Sequence, residues 1–125
     1  MNVVDSSAWL EYFAGTQNGD FFTAAIKQVD ELVVPSVVIY EVSKRFFQQY
    51  GEEAALEAAA TLQRGRVVDL DGELALSAAR LSMDLKLPLA DSIILATARR
   101  YQATLWTQDE HFKEIAGVKY QAKVI

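Results

Sequence analysis

Apolar positions along this chain alternate between short runs with the character of buried strands and longer stretches in which they recur every three or four residues. The short runs predict strands at residues 2–5, 31–35, 66–70, 104–107 and 119–124. The longer stretches predict helices. Ser6 or Ser7 caps a first one that passes through Trp9 and Phe13 to Gly15, and Asp20 starts a second that ends near Val29. Pro35-Ser36 opens a third that runs to Gly51, and residues 52–64, rich in Ala, Glu and Leu, form a fourth closed by Gly65. A fifth spans residues 73–85. Pro88 separates it from a sixth, which carries Asp91 and runs to Tyr101, and a short one covers residues 110–115.

Strands that alternate with helices need crossover connections, so the pattern predicts an α/β fold with a mostly parallel sheet of about five strands and helices on both faces. A length of 125 residues fits one domain, residues 1–125, around one core. Hydrophobic residues make up 51% and charged residues 23%, with only 6 Gly and 2 Pro, the balance of a globular chain without linkers or repeats. No apolar run reaches the ~18 residues of a membrane span, and the chain opens on strand-like NVVD, so a cytoplasmic location is expected. The absence of cysteine fits that compartment and excludes thiol catalysis, disulfides and thiolate zinc sites. His111 is the single histidine, so a multi-histidine metal site is excluded too.

In open parallel sheets ligands collect beyond the carboxyl ends of the strands. Four such places hold an acid: Asp5 ends the first strand, Glu41 lies about two turns into the third helix, Asp91 sits in the first turn after Leu87-Pro88, and Asp109 follows TLWTQ. Each has a simpler explanation. Asp5 and Asp109 suit helix caps, Asp91 suits a helix dipole, and Glu41 suits an exposed ion pair with Lys44 or Arg45. Those explanations do worst on Glu41 and Asp91, whose helices are apolar around them. Together the four acids need something to offset them, because carboxylates about 4 Å apart repel by ~4 kcal/mol per pair at an effective dielectric near 20.

A divalent cation removes the conflict. Carboxylates without cysteine or histidine partners are hard oxygen ligands that select Mg²⁺ or Mn²⁺, one ion or two. Such a site suits displacement at phosphorus. It also reconciles nucleic-acid binding with a net charge of -5, since two divalent ions would offset four of those charges. Lys44 and Arg45 are the basic residues singled out to hold a phosphate backbone.

VVDSSAW with Asp5, Glu41 after the second strand, LPLADSIILATA with Asp91, and TQDEHF with Thr107, Asp109 and Phe112 resemble the PIN-domain ribonucleases. The chain's small size resembles their VapC-type members, the toxins of toxin-antitoxin pairs. The resemblance runs from residue 3 to residue 112. It implies a three-layer α/β/α sandwich, Mg²⁺- or Mn²⁺-dependent endoribonuclease activity, a homodimer, and inhibition by a small VapB-like antitoxin. It maps Asp5, Glu41, Asp91 and Asp109 onto the family's acidic quartet. Ser6 and Thr107 fall where members place hydroxyls that orient those acids or a water. His111 departs from the pattern: many members carry a further acid there, which bears on a second metal position.

The expected chemistry is hydrolysis of RNA by metal-activated water, with Asp5, Asp91 and Asp109 holding the cation and Glu41 completing the shell or taking the water's proton; the ends are 5'-phosphate and 3'-hydroxyl. The rival readings are a receiver-like Mg²⁺-binding signalling domain and a PIN fold kept only as an RNA-binding scaffold. The pairs Phe21-Phe22 and Phe46-Phe47 should each bury one ring and leave the other as an anchor for a partner.

Overall fold

The computed structural model describes residues 1–124. Five strands form one sheet: β1 Asn2–Val4, β2 Leu32–Pro35, β3 Arg66–Val68, β4 Thr104–Thr107 and β5 Val118–Tyr120. All four pairings are parallel, and the strand order is β3-β2-β1-β4-β5. Six helices supply the crossovers: α1 Ser6–Ala14, α2 Gln17–Lys27, α3 Ser36–Tyr50, α4 Glu52–Leu62, α5 Gly72–Leu85 and α6 Leu89–Arg100. Every residue of β2 is buried, as are Val3 and Val4 of β1. Successive strand residues point to opposite faces, so burial of neighbours in sequence means that both faces are covered. The result is the α/β/α sandwich.

Trp9, Phe22, Leu105 and Phe112 fill the core with α6, in which every residue from Ser92 to Ala98 is buried. Two hydroxyls in that run are satisfied within the helix: Ser92 Oγ donates to the Leu89 carbonyl and Thr97 Oγ1 to the Ile93 carbonyl. A helix this enclosed fixes the position of its first turn, which carries Asp91.

From β1 the chain builds outward to β2 and β3, then returns to place β4 on the other side of β1. The order reverses there, and the carboxyl ends of β1 and β4 border the crevice that such a reversal opens. Register keeps the two ends level: Val4 pairs with Trp106, and the Asp5 amide donates to the Trp106 carbonyl at 3.0 Å. This strand order excludes the receiver-like reading, whose doubly wound sheet runs 2-1-3-4-5.

The departures from the sequence expectation lie at element ends. Helix α2 starts at Gln17 rather than Asp20, with the Thr16 hydroxyl accepting from the Gly19 amide. Gly19 permits this because a side chain there would meet the Glu11 carbonyl oxygen at 2.4 Å, so α1 and α2 touch backbone to backbone. Strand β5 stops at Tyr120, where its partner β4 ends at Thr107. Beyond that point the Asn18 side chain, not a strand, takes the Ala122 carbonyl. Residues 110–115 form only a 3₁₀ turn, Glu110–Phe112. No helix among the described residues is long and apolar enough to cross a membrane.

Candidate active site

Asp5 follows the last residue of β1 and caps α1, so its carboxylate is held at the crevice by the backbone on both sides. It is 3% exposed. Its Oδ1 accepts from the Ser6 amide at 2.7 Å, and its Oδ2 accepts from Thr107 Oγ1 at 2.7 Å and Ser7 Oγ at 3.2 Å. The capping explanation is therefore true of Asp5 but incomplete. Burial pushes the carboxyl up to about 7, against the pull of the Thr107 hydrogen bond, and the charges of Asp91 and Asp109 add to the rise. A residue needed only as a cap would not require three acids around one crevice.

Glu41 reaches the same place from α3. Ser6 Oγ donates to Glu41 Oε1 at 2.6 Å, a charge-assisted bond across 35 residues of sequence. Among the described residues no ion pair joins Glu41 to Lys44 or Arg45, although helical spacing allows one. The two cations are exposed on α3 and, with Ser6, Ser7, Tyr40 and Glu41, line a groove of about 370 Å³. A second groove of about 500 Å³ is bordered by Ser7, Gln108, Asp109, His111, Tyr120 and Lys123. Ser7 belongs to both, so the two grooves flank the carboxylates.

Asp91 and Asp109 meet through His111. The histidine Nδ1 lies 3.0 Å from Asp91 Oδ2 and 3.1 Å from Asp109 Oδ1. With both carboxylates ionised and able only to accept, the form with a proton on Nδ1 satisfies both contacts. The turn after β4 presents the ring: Asp109 Oδ1 also accepts from the His111 amide at 2.9 Å, and the Asp109 amide donates to Thr107 Oγ1 at 2.9 Å. Asp91 is pushed up to about 6, first by burial and then by the charge of Asp109, with the His111 hydrogen bond opposing and Glu41 adding. His111 is raised in turn, chiefly by the charge of Asp109.

Thr107 thus ties Asp5 to the Asp109 backbone, and Ser6 ties α1 to Glu41. His111, which in sequence stands out only as a departure from the family's acids, remains exposed in the fold but bridges two of the four acids. The signal that could have found it is the spacing Asp109-x-His111, which puts both side chains on one turn. The buried pair Asn18 and Gln108, joined Nδ2 to Oε1 at 2.9 Å, carries no such signal, and it fastens the segment after β5 beside the site. Of the aromatic pairs, Phe22 is buried and Phe21 packs on Trp106, while Phe46 is half-buried against Phe13 and Phe47 is exposed.

The donor set fits a divalent cation. One oxygen each of Asp91 and Asp109 and one nitrogen of His111 lie within 4.8 Å of one another. Two carboxyls, Asp5 and Asp91, hold protons above the ordinary carboxylate range, chiefly because they are buried and further because neighbouring acids repel the charge; a cation at the crevice would offset both costs.

The structure is similar to several solved ones. A chain of a toxin-antitoxin complex from Klebsiella pneumoniae superposes with a TM-score of 0.79 at 22% identity, covering 95% of this chain and 96% of that one. VapC20 from Mycobacterium tuberculosis, a sarcin-ricin loop cleaving toxin, gives 0.75 at 20% identity over 93% and 95%. VapBC2 from Rickettsia felis, bound to a promoter DNA fragment, gives 0.72 at 16% identity over 97% of each chain. A search of curated proteins finds no match. The model of the PIN domain matches residues 3–118. With nearly the whole chain inside that match and the sheet order and acidic crevice already in view, this protein belongs to the PIN-domain family.

Proposed function

We propose that this protein is a divalent-metal-dependent endoribonuclease and the toxin of a toxin-antitoxin pair. The observation that carries the reading is the convergence of Asp5, Glu41, Asp91 and Asp109, from four separate segments, on the crevice where the strand order reverses. Asp5, Asp91 and Asp109 would hold the cation, with Glu41 beside them. When bound, Mg²⁺ or Mn²⁺ lowers the pKa of a water and stabilises the charge that develops at phosphorus.

The protein's own groups do the rest. Ser6 pins Glu41 through Oε1 and leaves Oε2 to accept the proton of the attacking water. Thr107 fixes the rotamer of Asp5. Lys44 and Arg45, on the neighbouring groove, bind RNA phosphates. Cleavage leaves 5'-phosphate and 3'-hydroxyl ends. The scaffold-only reading has no use for four gathered acids, two of them held above their ordinary proton affinity.

An antitoxin partner is supported by the Klebsiella pneumoniae neighbour, which is itself part of a toxin-antitoxin complex. Tyr40, which lines the groove, and Phe47 are both exposed on α3, an apolar surface suited to an amphipathic helix whose basic side chain reaches the acids. The working form is a cytoplasmic homodimer.

The test is cleavage of total RNA and of a purified defined RNA by the wild type and Asp5→Asn, with Mg²⁺, Mn²⁺ or a chelator. Cleavage should need metal and Asp5, and should persist when the 2'-hydroxyl at the cut is methylated. A 2',3'-cyclic phosphate product would refute the mechanism.

A further inference from the structure

The histidine between two acids is the feature that the proposed chemistry does not absorb. His111 sits 56% exposed at the lip of the crevice, yet its Nδ1 makes simultaneous close approaches to Asp91 and Asp109. Three constraints hold it there. The Asp109 carboxylate binds the His111 amide, so ring and carboxylate share one 3₁₀ turn. Phe112, the next residue, is wholly buried and anchors that turn to the core. Asp91 comes from the first turn of the enclosed helix α6. A solvated surface histidine would not be oriented from three sides.

Resting on the metal-dependent reading above, we infer that His111 is a direct ligand of the cation through Nδ1, so that the site is a mixed nitrogen-oxygen set with Asp91 and Asp109. The three ligand atoms already lie within 4.8 Å of one another, so one cation could face all of them; His111 would bind it as neutral imidazole with its proton on Nε2, any proton on Nδ1 being released to solvent. An imidazole nitrogen among carboxylates favours first-row transition ions over the harder Mg²⁺, and so shifts the balance from Mg²⁺ toward Mn²⁺. His111 is thereby a selectivity-determining residue, a nitrogen ligand at the position where the sequence departs from an all-acid pattern.

The experiment is Mn²⁺ binding to the full chain, followed by electron paramagnetic resonance, with wild type, His111→Ala, His111→Asp and Asp91→Asn. Wild type should show electron spin echo modulation from a directly coordinated ¹⁴N, replaced by the ¹⁵N pattern after labelling histidine. His111→Ala should lose that modulation and bind Mn²⁺ about tenfold or more weakly, the scale on which even outer-shell partners matter. His111→Asp should shift the Mn²⁺/Mg²⁺ affinity ratio toward Mg²⁺. The exposed ring makes these variants safe for folding. Mn²⁺ bound without nitrogen coupling, lost in Asp91→Asn but unchanged in His111→Ala, overturns the ligand assignment and leaves the metal reading standing. Tighter Mn²⁺ binding by His111→Ala also overturns it, and identifies the imidazolium as an internal counter-ion that competes with metal. No Mn²⁺ binding by the wild type overturns both.

Discussion

Replacing Asp5 with Asn should make the metal-free protein more stable at pH 8 while abolishing cleavage. The side chain is buried and its carboxyl sits at about 7 instead of 3.8. At 1.36 kcal/mol per pH unit that is about 4 kcal/mol of unfavourable interaction in the charged form. Asparagine keeps an oxygen for the Ser6 amide but must rearrange its hydrogen bond with Thr107, at a cost of about 1 kcal/mol. The net gain is then about 3 kcal/mol, or a rise of roughly 1.5 M in the urea midpoint for a slope near 2 kcal/mol per M. The sign reverses with acid. A folded-state pKa above the unfolded one means that the folded wild type holds the proton between about 4 and 7. Its stability from this group is therefore full below 4 and is lost as pH rises through 7. At pH 4 both side chains are neutral, and Asp5→Asn should be slightly the less stable. Metal gives a second crossing: Mn²⁺ at a hundredfold excess over its Kd adds about 2.7 kcal/mol to a protein that binds it, and little to the variant. Urea unfolding at pH 4, 6 and 8, with chelator and with Mn²⁺, reads all of this. A large drop in the stability of Asp5→Asn at pH 8 in chelator would refute the reasoning, since it would mean that the charge is a structural asset.

Asp91→Asn should likewise abolish cleavage and raise metal-free stability at pH 8, by less than Asp5→Asn because its carboxyl is raised only to about 6; thermal melts in chelator check the order. Thr107→Val removes the hydroxyl that donates to Asp5 and accepts from the Asp109 amide, and should cost about 1–3 kcal/mol in urea unfolding at pH 8. Without that hydroxyl the Asp5 carboxyl should rise higher still, extending the decline of stability beyond pH 7. Lys44→Ala with Arg45→Ala should leave folding unchanged and weaken RNA binding. The slope of log affinity against log salt should flatten by about 0.7 for each phosphate the variant no longer neutralises, measured on single-stranded RNA with Asp5→Asn as the inactive background.

How far the sequence reaches is clearest at the carboxyl ends of the strands. The positions of Asp5 and Asp109 follow from local pattern, because a short apolar run fixes where a strand stops and the topological rule fixes which end matters. Both also serve as caps, so neither can be separated from a structural acid by its neighbours alone. The element ends that shift depend on distant partners. Helix α2 begins early because Gly19 lets it touch the backbone of α1, and β5 ends early because β4 runs out beside it.

Glu41 and His111 show the two limits of the site. Glu41 stands out in sequence because a carboxylate beside Val38 and Val42 on a buried helix face is costly to desolvate without a partner. What no local pattern can supply is that partner, Ser6, an earlier helix's first residue, which competes successfully with the helical cations Lys44 and Arg45. His111 is illegible for the converse reason. It is polar, exposed and ordinary in its own segment, and its meaning arises only when α6 brings Asp91 across 20 residues of sequence to within 3.0 Å of its ring. Spacing within one turn links it to Asp109, but a bridge needs a second abutment, and that comes from the packing of an enclosed helix. Residues whose burial carries a free-energy cost are visible in one dimension; residues that act by lying between two others are visible only in three.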